Sequence, residues 1–145
     1  RNISRPEESR LPDMEETEHI FTRTEAEKAL SELRPLMEGL RDEWGRIKSL
    51  NPEIQKIREK AILDAFSPYG VEYVESVSQM TRLMGQVRDM GVVVKDLDKG
   101  LCDFPYLRHD RVVYLCWHLG EDSIGYWHDR ESGFGSREPL EDRDL

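Results

Sequence analysis

Apolar residues in the first two thirds of the chain recur at helical spacing. From Ala26 they fall at Leu30, Leu33, Met37, Leu40, Trp44 and Ile47, alternating steps of four and three that define a heptad seam. Thr22 followed by Glu25 is a capping box, and Phe21 ahead of it can staple onto Ala26. Pro35 lacks an N–H and should kink this helix, but the seam keeps its phase across it. Asn51-Pro52 reads as a break, and Ile54, Ile57, Ala61 and Ala65 form a weaker stripe ending near Ser67-Pro68. A further helix is predicted from about Val71 to Met90 with the seam Tyr73, Val77, Met80, Met84 and Val87, closed by Gly91 as a left-handed cap. The helical part is therefore a long antiparallel hairpin or a three-helix arrangement, and a coiled coil in its patterning.

After Gly91 the period shortens towards two. Leu101–Arg108, Arg111–His118 and Ser123–His128 are strand candidates, with His109-Asp110 and Gly120-Glu121 as turns, and Val92-Val93-Val94 is a possible fourth strand. Connections this short force an antiparallel meander. Two-residue loops place Phe104, Tyr106, Val113, Leu115, Trp117, Ile124, Tyr126 and His128 on the face that packs on the helices. Asp103, Leu107, Val112, Tyr114, Cys116, His118, Ser123 and Trp127 fall on the other. A three-residue bulged loop at Gly120 would flip the last strand and move His128 across. Cys102 and Cys116 fall on opposite faces, which argues against a disulfide. The fold class expected is α+β: helices over about 22–90, a three- to four-stranded meander over about 92–128, and a C-terminal loop over 129–145.

Charge refines the ends. Lysine and arginine number 21 against 30 acids, a net of −9, with −3 in residues 1–20 and −3 in residues 129–145. The first of these has no apolar period and reads as an acidic, poorly ordered extension, leaving 21–145 as one α+β domain. An acidic surface repels phosphates, so nucleic acid is excluded as a partner. The longest apolar run, Val112–Trp117, is far short of a membrane span. Two cysteines build no disulfide framework, so the expected setting is a reducing cytoplasm.

The string Gly100-Leu101-Cys102-Asp103-Phe104-Pro105, then Val113-Tyr114-Leu115-Cys116-Trp117, Leu119-Gly120-Glu121, Tyr126-Trp127-His128, Gly133-Phe134 and Arg137 before Pro139-Leu140, resembles the domain-of-unknown-function 2203 family of small bacterial proteins. The resemblance covers roughly residues 20–140. It implies a helical hairpin with a short sheet and carries no established activity. Relatives tend to have a basic residue where this chain has His118.

Asp103, Glu121, His128 and Arg137 fall inside those motifs and are the candidate binding residues, since a carboxylate, an imidazole and a guanidinium can clamp and protonate a small anion or carboxylate. His128 and Arg137 in particular could share an anion if Gly133 and Gly135 let the tail fold back, while Asp103, Glu121 or Asp129 could instead supply the acid internally. His118, His128 and Asp103 are the metal-ligand candidates, unsupported by any HExxH, paired CxxC or EF-hand spacing. No residue is assigned a catalytic role and no cofactor is expected: Cys116 between Leu115 and Trp117 reads as an inert sheet thiol, and no glycine-rich loop opens a helix for a phosphate. Three readings follow. The leading one is a non-enzymatic interaction or scaffolding module, pairing with itself through the helical seam at Leu40, Trp44, Ile47 and Leu50 or with another protein. The others are an anion binder or small enzyme at the sheet end near His128, and a metalloprotein.

Overall fold

A computed structural model describes residues 18–60 and 68–141. Residues 1–17, which make up most of the acidic extension, lie outside this range, as do Ala61 and Ala65 of the weak stripe. Helix α1 runs over Arg23–Lys60 and α2 over Pro68–Asp89. The Thr22 hydroxyl accepts from the Glu25 N–H at 3.1 Å, as the capping box requires, and Phe21 and Ala26 are both buried beside it. The break expected at Asn51-Pro52 does not occur, because α1 passes through both Pro35 and Pro52. Each proline removes one backbone hydrogen bond. The apolar seam nevertheless continues in phase to Leu50, which is buried, and burial on a packed face outweighs that loss. The helical part is therefore a two-helix hairpin. Gly39 packs against Leu83 while Leu36 lies by Met90, so the helices run antiparallel.

The inward line of α2 is Ser76, Leu83 and Val87, flanked by the half-buried Tyr73 and Met80. Val77 and Met84, expected in that seam, are 38% exposed. Two apolar lines run side by side on this helix. The one containing Leu83 faces Gly39, where the missing side chain lets the helices approach. Leu40 and Leu50 of the α1 seam are likewise buried, while Trp44 and Ile47 are half-buried.

Gly91, with φ at +86°, ends α2 in the left-handed cap expected of it. Five strands follow: β1 Val93–Asp96, β2 Leu101–Arg108, β3 Arg111–His118, β4 Tyr126–His128 and β5 Glu138–Pro139, in sequential order and all antiparallel. His109 and Asp110 both have positive φ, the two-residue turn that suits a right-twisted hairpin. The β2–β3 register is the one the tight turn implies, with Phe104 opposite Leu115 and Asp103 opposite Cys116. The tail expected to be loop throughout adds β5 beside β4.

The β3–β4 register departs by one residue. His128 lies opposite Tyr114 and Trp127 opposite Leu115, so Trp127 joins the core while Tyr126 and His128 turn to the far face. Residues 119–125 do not form a tight loop because α1 holds them. The Ile124 N–H donates to Glu27 Oε1 at 2.7 Å, and Arg34 donates to the carbonyls of Glu121 and Asp122. Ile124 is thereby buried in the helix–sheet core with Phe104, Leu115, Trp117, Leu33 and Met37. Cys102 and Cys116, on opposite faces, are free thiols.

Candidate functional site

The sheet face turned away from the helices should be solvated in a two-layer fold, yet part of it is buried. Asp103 is 1% exposed, His128 3% and Cys116 0%. Across this face the tail folds back through the 3-10 turn Phe134–Ser136 and lays Arg137 over the Tyr126 ring at 3.7 Å. This return uses extended backbone at Gly133, so the glycine needs no left-handed angle.

Two neutralising pairs result. His128 Nε2 lies 2.9 Å from Asp103 Oδ1, and its Nδ1 lies 2.7 Å from the Asp129 carbonyl oxygen. A carbonyl only accepts, so Nδ1 carries a proton. Asp103 Oδ2 is buried and accepts no hydrogen bond. Burial pushes the Asp103 carboxyl above its ordinary range, with the His128 hydrogen bond acting in opposition. In the second pair Arg137 donates to Glu121 Oε2 at 2.5 Å, while Glu121 Oε1 accepts the His118 N–H at 3.0 Å. The Trp117 indole N–H donates to the Glu121 carbonyl at 2.9 Å, tying this corner to the core.

The four candidate residues therefore share one face but separate into Asp103–His128 and Glu121–Arg137. The cations that would share an anion are each engaged by an internal acid. Asp129, the other acid considered, pairs through its side chain with Arg111 at 2.9 Å. Of the metal candidates, Asp103 and His128 meet. His118 instead stands by Glu121 at 3.6 Å and edges onto Phe134.

Cys116 is the residue that the sequence reading set aside. One ligand atom each from Asp103, Cys116 and His128 lies within 4.8 Å of the other two. The signal was available in part, since the first hairpin already puts Cys116 opposite Asp103. Burial, then the charge of Asp103, pushes the Cys116 thiol up to about 12, so it is no nucleophile near neutral pH. Beside this cluster Tyr114 floors an open cleft of about 710 Å³ bounded by Arg88, Val93, Pro105 and Arg130.

A second feature lies on α2. Val71, Val74, Val77 and Met84 are 50%, 61%, 38% and 38% exposed, outward apolar side chains beside the buried line of Leu83. No described helix is long and apolar enough to cross a membrane.

Comparison with known proteins returns a family model described as an uncharacterized conserved protein family, DUF2203, matching residues 19–140. No curated protein and no solved structure matches the chain.

Proposed function

The chain belongs to the DUF2203 family, and we propose that it is a non-enzymatic interaction module that pairs with a second copy of itself through the outer face of α2. The observation that carries this reading is the exposed line Val74, Val77, Thr81 and Met84, whose steps of three, four and three repeat at the heptad period of a helix–helix seam. Contiguous apolar surface of this kind on a soluble protein marks an interaction site.

Charge selects the occupant. The N-terminal half of α2 carries exposed Glu72 and Glu75, and the C-terminal half carries exposed Arg82 and Arg88 against one acid, Asp89. Two copies crossing antiparallel about a two-fold axis near Gln79 set Val74 of one against Met84 of the other, and lay the acidic half of each helix along the basic half of its partner. A parallel pair would stack like charges. Leu40 and Leu50 of the α1 seam are buried within the chain, which favours the outer face of α2 over the α1 seam as the pairing surface. The internal pairing of His128 and Arg137 also favours interaction over anion capture.

Light scattering at micromolar to submillimolar concentration tests the proposal. A dimer has twice the 17.0 kDa chain mass. Met84→Asp should yield the monomer with unchanged helical circular dichroism. A 17.0 kDa species throughout that range rejects the reading.

A further inference from the structure

We propose that Asp103, Cys116 and His128 form a binding site for a divalent transition-metal ion of the zinc class. It lies on the sheet face opposite the helices and is independent of pairing through α2.

The argument begins with the donors. A thiol sulfur, an imidazole nitrogen and a carboxylate oxygen converge from three adjacent strands, Asp103 on β2, Cys116 on β3 and His128 on β4. This mixed set suits zinc, cobalt or iron and disfavours calcium or magnesium, which take oxygen alone. The ligand atoms fall within 4.8 Å of one another. An ion with bonds of about 2.0–2.3 Å holds tetrahedral ligands about 3.3–3.8 Å apart, so modest side-chain rotation closes the site.

The histidine is prepared for the role. Its Nδ1 proton is committed to the Asp129 carbonyl at 2.7 Å, which orients the ring and points Nε2 at the other two donors. This is the outer-shell arrangement that fixes the tautomer of metal-bound histidines. The carboxylate supplies a second, independent sign: Asp103 is 1% exposed and its Oδ2 is buried without a hydrogen-bond partner, the thiol of Cys116 being the neighbouring donor that a metal would deprotonate. Buried polar oxygens rarely stay unpaired, and a cation satisfies this one. Thiolate, carboxylate and a divalent ion sum to zero charge, which is the state that burial tolerates. Arg137 does not occupy the place of the ion, because Glu121 holds it. Tyr114 borders the open cleft and its ring lies 5.6 Å from that of His128, so the cleft approaches the cluster on that side.

Three protein ligands leave a fourth position for water or a small donor, the coordination of open rather than closed zinc sites. Cobalt(II) is the probe, added to the folded, metal-stripped full chain. The expected result is one equivalent with a thiolate-to-cobalt charge-transfer band and the intense visible bands of four-coordinate cobalt, displaced by zinc. Cys116→Ser and His128→Ala should abolish the charge-transfer band or weaken affinity by more than about tenfold. Cys102→Ser, on the opposite face, and His118→Ala should leave both intact. Because His128→Ala could lose structure, the near-isosteric Cys116→Ser with native circular dichroism is the deciding variant. A wild-type protein giving no saturable band overturns the site, as does a band of equal intensity in Cys116→Ser.

Discussion

The buried Asp103–His128 pair offers the sharpest energetic test of the fold. Its side chains are 1% and 4% exposed, so solvent screens little of their interaction. Removing one member of such a pair leaves a group in low dielectric without compensation, at a cost of about 3–5 kcal/mol, whereas replacing both by apolar residues of similar volume is often near neutral. In the metal-free protein, His128→Leu should therefore cost about 3–5 kcal/mol at neutral pH. Asp103→Val should cost less, about 1–3 kcal/mol, because the imidazole left behind can be neutral. The double variant should cost less than the sum of the two by at least about 2 kcal/mol. The pH dependence has a definite sign. A carboxyl whose folded pKa is raised binds more protons folded than unfolded, so the stability it contributes below the ordinary carboxylate range is lost as pH rises through the folded value. Loss of the histidine removes the main influence holding that value down, so the His128→Leu penalty should be largest near neutrality and shrink towards about pH 4. Urea unfolding followed by the fluorescence of buried Trp117 and Trp127 measures this, with midpoint and slope compared across the four proteins. Additivity within about 0.5 kcal/mol, or a penalty that ignores pH, would refute the reasoning.

Two further outcomes follow from the backbone and the thiols. Gly100 has φ at +63° and an added Cβ there would lie 2.6 Å from Leu119 Cδ1, whereas Gly120, at φ +105°, has open space around it. In thermal melts Gly100→Ala should thus be the more destabilising, by more than the roughly 1–2 kcal/mol of backbone strain alone, and equal melting points would contradict this. Both cysteines are buried with thiols pushed upward, Cys116 to about 12, and should resist a disulfide reagent until the chain unfolds. Since unfolded thiols ionise first, stability should fall above the ordinary thiol range, by about 1–2 kcal/mol per cysteine at about pH 10, and an alkaline rise in the urea midpoint would be the opposite of what burial dictates.

Local rules carried far in this chain. The Thr22 cap, the left-handed Gly91, the His109-Asp110 turn and the first hairpin register all depend on neighbours within a few residues, and each is found in the structure. What local rules missed was decided at long range. Pro52 fails to end α1 because Leu50 is held on a packed face, and Val77 turns outward because Leu83 meets the glycine notch at Gly39. The candidate site divides the same way. Asp103 and Cys116 follow from strand alternation, while His128 joins them only through a register set by Glu27 and Arg34, residues about a hundred positions upstream with no pattern to announce the role.

That last dependence reaches into how the chain acquires its shape. The β2–β3 hairpin closes through a two-residue turn and can form early, since its loop entropy is small. The β4 register needs contacts spanning 97 residues from Glu27 to Ile124 and 87 from Arg34 to Glu121, so it can settle only after α1 has docked. Until then, a tight turn at Gly120 competes, and it would carry the His128 imidazole to the core side and Trp127 to the solvent side. The α1 helix therefore acts in the manner of an internal proofreader of strand pairing: it supplies the energetic difference between two alignments one residue apart, and only one of them assembles the Asp103, Cys116 and His128 cluster.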